Sequence, residues 1–119
     1  MKRIALMILA LGFAVTAIST SAADTAISGY LVDLSCAKQN AAKPDWGAKH
    51  TTMCLRMPDC EKSGYAVLTD DKKIIRFDKA GNDEAKKFLA ATTKSKDIRV
   101  TVMGAVSGDQ MTVTKIDPQ

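Results

Sequence analysis

Aromatic residues are scarce in this chain: one Trp, two Tyr and three Phe make up 5% of 119 residues. A core built from it must be filled mainly by Val, Ile, Leu and Met. Seven glycines and three prolines exclude a collagen-like repeat, and three cysteines exclude a disulfide-dense scaffold. There is a single histidine, so a Cys–His catalytic pair would have to be Cys54 with His50, and nothing in the sequence supplies an orienting third group for it. A G-x-S-x-G elbow, a Gly-rich phosphate loop and a C-x-x-C-H haem-attachment sequence are all absent. What is present is 46% hydrophobic and 25% charged. That balance excludes a disordered tail, and the length suits one domain.

The first residues read as an address. Lys2 and Arg3 form a basic start, Ile4 to Val15 an apolar stretch, and Thr16 to Ala23 a small-residue region. That order is a secretory signal peptide over residues 1–23, with cleavage expected before Asp24. The apolar run is about a dozen residues where a spanning helix needs ~20, so no stable membrane anchor is expected after cleavage. No cysteine stands near the cut to carry a lipid. The expected location is therefore periplasmic or secreted. Setting Lys2 and Arg3 aside leaves 15 of the 17 basic residues against 13 acidic ones, a formal charge of +2. Non-specific nucleic-acid binding rests on many phosphate contacts, and this charge gives no case for it.

Residues 24–119 read as one domain. Thr25–Asp33 has the β-branched and aromatic content of a strand. A long connection over 34–64 follows; its middle, Gln39 to Gly47, is expected to be irregular. Lys49–Met57 is expected to be a short helix stopped by Pro58. Tyr65–Thr69 and Lys73–Phe77, joined by Asp70-Asp71-Lys72, predict a hairpin. Asn82 is a suitable N-cap for a helix running to about Thr92, with Ala85, Phe88 and Leu89 on one apolar face. Ile98–Val106 and Gln110–Ile116 predict the last two strands, with Gly29 and Gly104 at bends. The chain is therefore mainly β with one or two helices. Five short strands with a helix between the third and fourth is the element order of a small five-stranded OB-like barrel. An open meander with the helix on one face is the competing arrangement.

Gly29-Tyr30-Leu31-Val32-Asp33 followed by Cys36, the His50…Cys54…Cys60 loop, Ser63-Gly64, and the closing Val100-Thr101-Val102-x-Gly104 with Gly108-Asp109-x-x-x-Val113 carry a resemblance. Together these motifs resemble small, uncharacterised exported bacterial proteins with an OB-like barrel. The resemblance implies fold and compartment, and supplies no catalytic residue.

Three cysteines in an exported chain imply one disulfide and a spare thiol, or a link between chains. Cys36 lies just beyond the first strand and Cys60 just before the second. If those strands are antiparallel neighbours, a Cys36–Cys60 bond would staple the base of the loop. Cys36–Cys54 and Cys54–Cys60 are the alternatives. His50, Met53, Cys54 and Met57 fall at i, i+3, i+4 and i+7, one face of a helix if Lys49–Met57 is helical. Imidazole, thioether and thiolate suit a soft metal, Cu(I) above all. The same stripe also describes an ordinary packing face. Haem ligated by His50 and a Met, or tetrahedral zinc, fits the sequence less well. Trp46 is expected to be a lid over the core. The expected function is a non-enzymatic periplasmic or secreted binding module. The cysteine-bearing loop would recognise an unidentified small ligand or protein. The alternatives are a copper binder using the His50/Met53/Cys54/Met57 stripe and a small thiol redox protein with Cys54 as its reactive group.

Overall fold

The computed structural model describes Gly12 and residues 24–119, so the leader expected over 1–23 lies, but for Gly12, outside the described residues. Five strands run in the order β1 (Thr25–Asp33), β2 (Tyr65–Thr69), β3 (Ile74–Phe77), β4 (Arg99–Ser107) and β5 (Gln110–Pro118). Between β1 and β2 come four short helices, α1 (Leu34–Asn40), α2 (Trp46–Lys49), α3 (Thr52–Leu55) and α4 (Pro58–Ser63). The long helix α5 (Lys79–Ala91) joins β3 to β4. No described helix is long and apolar enough to cross a membrane.

The strands close into a ring in the order β1-β2-β3-β5-β4. Every neighbouring pair is antiparallel except β3 and β5, which run parallel through Arg76↔Gln110 and Phe77↔Met111. Pairing of β1 with β4 (Ile27↔Val102, Gly29↔Val100) completes the ring, so the open meander does not form. Closure leaves no long unpaired strand edge among the described residues.

Burial explains the strand sequences. Along β4, Val100, Val102 and Gly104 are buried and alternate with partly exposed residues, the period-2 pattern of a strand with one wet face. In β2, Tyr65, Ala66, Val67 and Leu68 are all buried. Tyr65 and Val67 join Leu31, Phe77, Leu89, Val100 and Met111 in the core inside the ring. Ala66 and Leu68 point outward and meet Val32, Ala37 and Trp46 in a second apolar cluster. The helical segment 34–63 thus covers the outer face of β1 and β2, which is why those strands read as unbroken apolar runs.

Along β5 the inward phase changes. Met111 and Val113 are buried, and the next buried residue is Ile116, three on. The pairing steps from Met103↔Lys115 to Gly104↔Val113, leaving Thr114 without a partner residue. This bulge resets the alternation, and the Thr114 hydroxyl donates to the Met103 carbonyl at 3.1 Å.

Helix α5 begins earlier than Asn82. Asp78 is its N-cap, accepting from the Gly81 N–H at 2.9 Å and from the Val113 N–H of β5 at 3.1 Å. One carboxylate therefore satisfies a helix donor and a strand donor together. Asn82 instead ties α5 to the start of β2, its Oδ1 accepting the Tyr65 N–H at 2.8 Å. Ala85 and Leu89 of α5 are buried in the ring's core, and Phe88 packs against it.

Candidate functional site

Asp33, the last residue of β1, is fully buried. Its Oδ2 caps α1, accepting from the Cys36 N–H at 3.0 Å and the Ser35 hydroxyl at 2.8 Å. Its Oδ1 lies 2.7 Å from Nε2 of His50, seventeen residues along the chain. Burial pushes the Asp33 pKa up. The hydrogen bonds from His50, the Cys36 amide and Ser35 outweigh that and hold it well below the ordinary carboxylate range. An ionised carboxylate only accepts, so His50 Nε2 carries the hydrogen.

His50 is itself buried. Its ring lies against Trp46, with centroids 4.6 Å apart, and its backbone N–H closes α2 on the Trp46 carbonyl at 2.9 Å. Asp33, His50 and Trp46 therefore pin the helical segment to the end of β1. Trp46 does pack on apolar residues, in the outer cluster rather than over the ring's interior. The Asp33–His50 pair escaped sequence reading because no motif links an aspartate to a histidine across an irregular stretch. The only local signal was Asp33-Leu-Ser-Cys36, an N-cap residue at the end of an apolar strand.

The expected helix over Lys49–Met57 is interrupted. His50 is extended (φ −67°, ψ 132°), and Thr51 is also extended and bridges to Lys96. The Thr51 side chain then caps α3 by accepting the Cys54 N–H at 3.2 Å, and Met57 precedes Pro58 at the start of α4. Threonine competes for local backbone donors and proline has none to give, so two new helix starts replace one continuous helix. As a result His50, Met53, Cys54 and Met57 do not share a helical face. His50 is turned into Asp33, while Met53 is 78% and Met57 50% exposed and Cys54 is half-buried. The segment Gln39–Gly47, expected to be irregular, holds the end of α1 and the start of α2.

Met53 and Met57 nevertheless line one groove of about 490 Å³, together with Thr51, Thr52, Arg56 and Ser95. Its walls are fixed from below. The Thr52 N–H donates to the Ser95 carbonyl at 2.9 Å, the Arg56 guanidinium donates to the Leu89 carbonyl, and the buried Tyr65 hydroxyl donates to the Leu55 carbonyl at 2.7 Å. Burial, with Glu61 and Asp33 nearby, pushes the Tyr65 hydroxyl up to about 12, so it stays a donor. Tyr65→Phe should leave the Leu55 carbonyl without its partner and cost about 1–2 kcal/mol. A lowered urea midpoint with unchanged slope would show this; an unchanged midpoint would mean that the hydroxyl does not hold α3.

Helices α1 and α4 lie side by side. The Leu34 N–H donates to the Gly64 carbonyl at 2.9 Å, and the Ser35 N–H to the Ser63 hydroxyl at 3.3 Å. This brings Cys36 and Cys60 together beside Asp33. The two sulfurs and a carboxylate oxygen all lie within 4.8 Å of one another, and both cysteines are free thiols in this structure. Burial and then the Asp33 charge push Cys36 up to about 11, and the same two causes lead the upward shift of Cys60. An activated nucleophilic thiol has a lowered pKa, and both of these shift the other way. These three residues have the donor types to hold an ion such as zinc. Asp33 is an occupied ligand, however: three of its roughly four lone-pair positions already accept hydrogen bonds.

No protein-family model matches the chain, and neither the curated proteins nor the solved structures contain a match to it.

Proposed function

We propose that residues 24–119 form a non-enzymatic, periplasmic or secreted binding module on an OB-like barrel. The recognition surface would be the groove on the helical segment 34–63. The ring order β1-β2-β3-β5-β4 with α5 between β3 and β4 supports the OB-like reading, since that fold is a five-stranded Greek-key barrel that binds through its loops and one sheet face. The observation that carries the binding role is the groove itself. Two exposed methionines sit on a segment anchored through Asp33, His50 and Tyr65. Thioether side chains adapt to varied apolar partners, and a fixed frame beneath them reduces the ordering cost of binding. The ligand class that fits is small and largely apolar, with one polar group for Arg56 or the threonines.

The test is a series of amide correlation spectra of residues 24–119 titrated with apolar and amphipathic fragments. Shifts should cluster on Thr51–Met57 and Ser95. The double variant Met53→Ser/Met57→Ser should weaken the best fragment at least about tenfold, or ~1.4 kcal/mol. Shifts confined to the outer face of β4 and β5 would move the site elsewhere. Fractionation of cells making the full chain tests the compartment.

A second reading is a copper module. Met53 and Met57 share the groove, and paired thioethers favour Cu(I). With its Nε2 held by Asp33, His50 would enter this version only through Nδ1. One equivalent of Cu(I) bound against a competing chelator, and lost in both Met53→Ala and Met57→Ala, would favour it over an organic ligand. A thiol redox role with Cys54 as the reactive group draws least support: the two cysteines that lie together are Cys36 and Cys60, and half-buried Cys54 on α3 stands outside that group.

A further inference from the structure

We infer that Cys36 and Cys60 form a disulfide in the exported protein and that Cys54 remains the single free thiol. Four observations converge on this pair. Their sulfurs lie within 4.8 Å of each other beside Asp33. Their helices are held together by the Leu34–Gly64 and Ser35–Ser63 hydrogen bonds. They also stand at the two ends of the helical segment, where Asp33 and Tyr65 are direct partners in the β1–β2 pairing. Cys54, on α3, lies outside the converging group.

The local electrostatics are compatible with the oxidised pair, which carries no charge. Each thiol, to react as thiolate, would place a negative charge beside the buried Asp33 carboxylate. A disulfide removes two ionisable groups from that neighbourhood and leaves a neutral apolar bridge. The oxidant required is a disulfide-carrying thiol oxidase of an oxidising compartment. One cysteine thiolate attacks the carrier's disulfide, forming a mixed disulfide and releasing one carrier thiolate. The second cysteine then attacks the mixed disulfide, closing Cys36–Cys60 and releasing the second carrier thiolate. Two protons leave the protein's thiols, and the carrier is reduced by two electrons. In the packed protein Cys60 is buried and Cys36 half-buried, so access of a reductant to the closed bond is restricted on the Cys60 side. The bridge would close about 25 residues at the base of the segment that carries the groove.

The compartment, though not the pairing, rests on the export reading above. The experiment therefore has two arms: the full chain expressed with its leader and recovered from the periplasm, and reduced residues 24–119 oxidised with glutathione disulfide. In each, the intact mass should fall by two hydrogens, unreduced peptide mapping should join Cys36 to Cys60, and one thiol should titrate, disappearing in Cys54→Ser. Reducing the wild-type bridge should lower Tm by about 10–20 °C. Cys36→Ser and Cys60→Ser should each give the same fall, with no further loss in the double variant. Three titratable thiols in both arms, with or without a zinc ion bound, would overturn the inference, as would any mapped link to Cys54. Correct pairing by glutathione in a chain that fails to reach the periplasm would support the disulfide and refute export. Three free thiols in periplasmic protein that glutathione cannot pair would do the reverse.

Discussion

Asp33→Ala is expected to remove about 3–5 kcal/mol of folding stability at neutral pH. The carboxylate is fully buried and serves three donors at once: His50, the Cys36 amide and the Ser35 hydroxyl. Truncation leaves a buried imidazole N–H and a helix N-terminus without acceptors. A small domain has only about 5–15 kcal/mol in total, so the variant should sit near the edge of folding. Asp33→Asn is the milder companion, keeping the shape and losing the charge. Its comparison with wild type should depend on pH in a defined direction. The folded-state pKa of Asp33 lies below its unfolded value, near 3.9 in model peptides. The ionised carboxylate therefore contributes its full stabilisation above that unfolded value, and the contribution is lost as pH falls toward the folded one. Urea unfolding should show the gap between wild type and Asp33→Asn narrowing as pH falls below about 4. A gap that stays constant to about pH 2.5 would mean that the charge on Asp33 contributes nothing. Because Asp33 and His50 act as one unit, Asp33→Ala/His50→Ala should cost less than the two single losses together.

That pair also marks where sequence reading ends. The strands were legible because their burial follows a short-range period. Expected and observed spans for β1 and β2 coincide; β3 differs by one residue and β5 by two at one end, and β4 by one residue at each end. The unbroken apolar run Tyr65–Leu68 carried a further message, that β2 is covered on both faces, and it could have been read as such. The helical segment was far less legible. Its turns are too short for a hydrophobic period, and their starts are fixed by single capping residues: Asp33, Thr51 and Pro58 after Met57. A pattern at i, i+3, i+4 and i+7 presupposes an unbroken helix, and Thr51 breaks it. At α5 two residues could cap, and tertiary structure chose between them. Asp78 reaches both Gly81 and Val113, a partner on β5 that no local rule could supply. By contrast, Cys36 and Cys60 were brought near each other by strand topology alone, because each lies a few residues from a paired strand end.

Gly104→Val is expected to be the other severe substitution, at about 3 kcal/mol or more. Gly104 sits where the β4–β5 pairing steps past Thr114. A Cβ placed there would lie 1.9 Å from the Thr112 carbonyl oxygen and 2.9 Å from its carbon. Those are backbone atoms of the neighbouring strand, so no side-chain rotation relieves the overlap, and β4 and β5 would have to part. The step at Gly104 also sets the phase that points both Val113 and Ile116 inward. Separating the strands would therefore disturb the core on both sides of the bulge. Gly108→Ala is the useful comparison. Its Cβ would meet nothing within 4 Å, but its φ of +62° is left-handed, which costs a side chain about 1–2 kcal/mol. Thermal unfolding should rank Gly104→Val well below Gly108→Ala, and both below wild type. If Gly104→Val melts with Gly108→Ala or above it, the close approach of β4 to β5 is not what requires glycine at position 104.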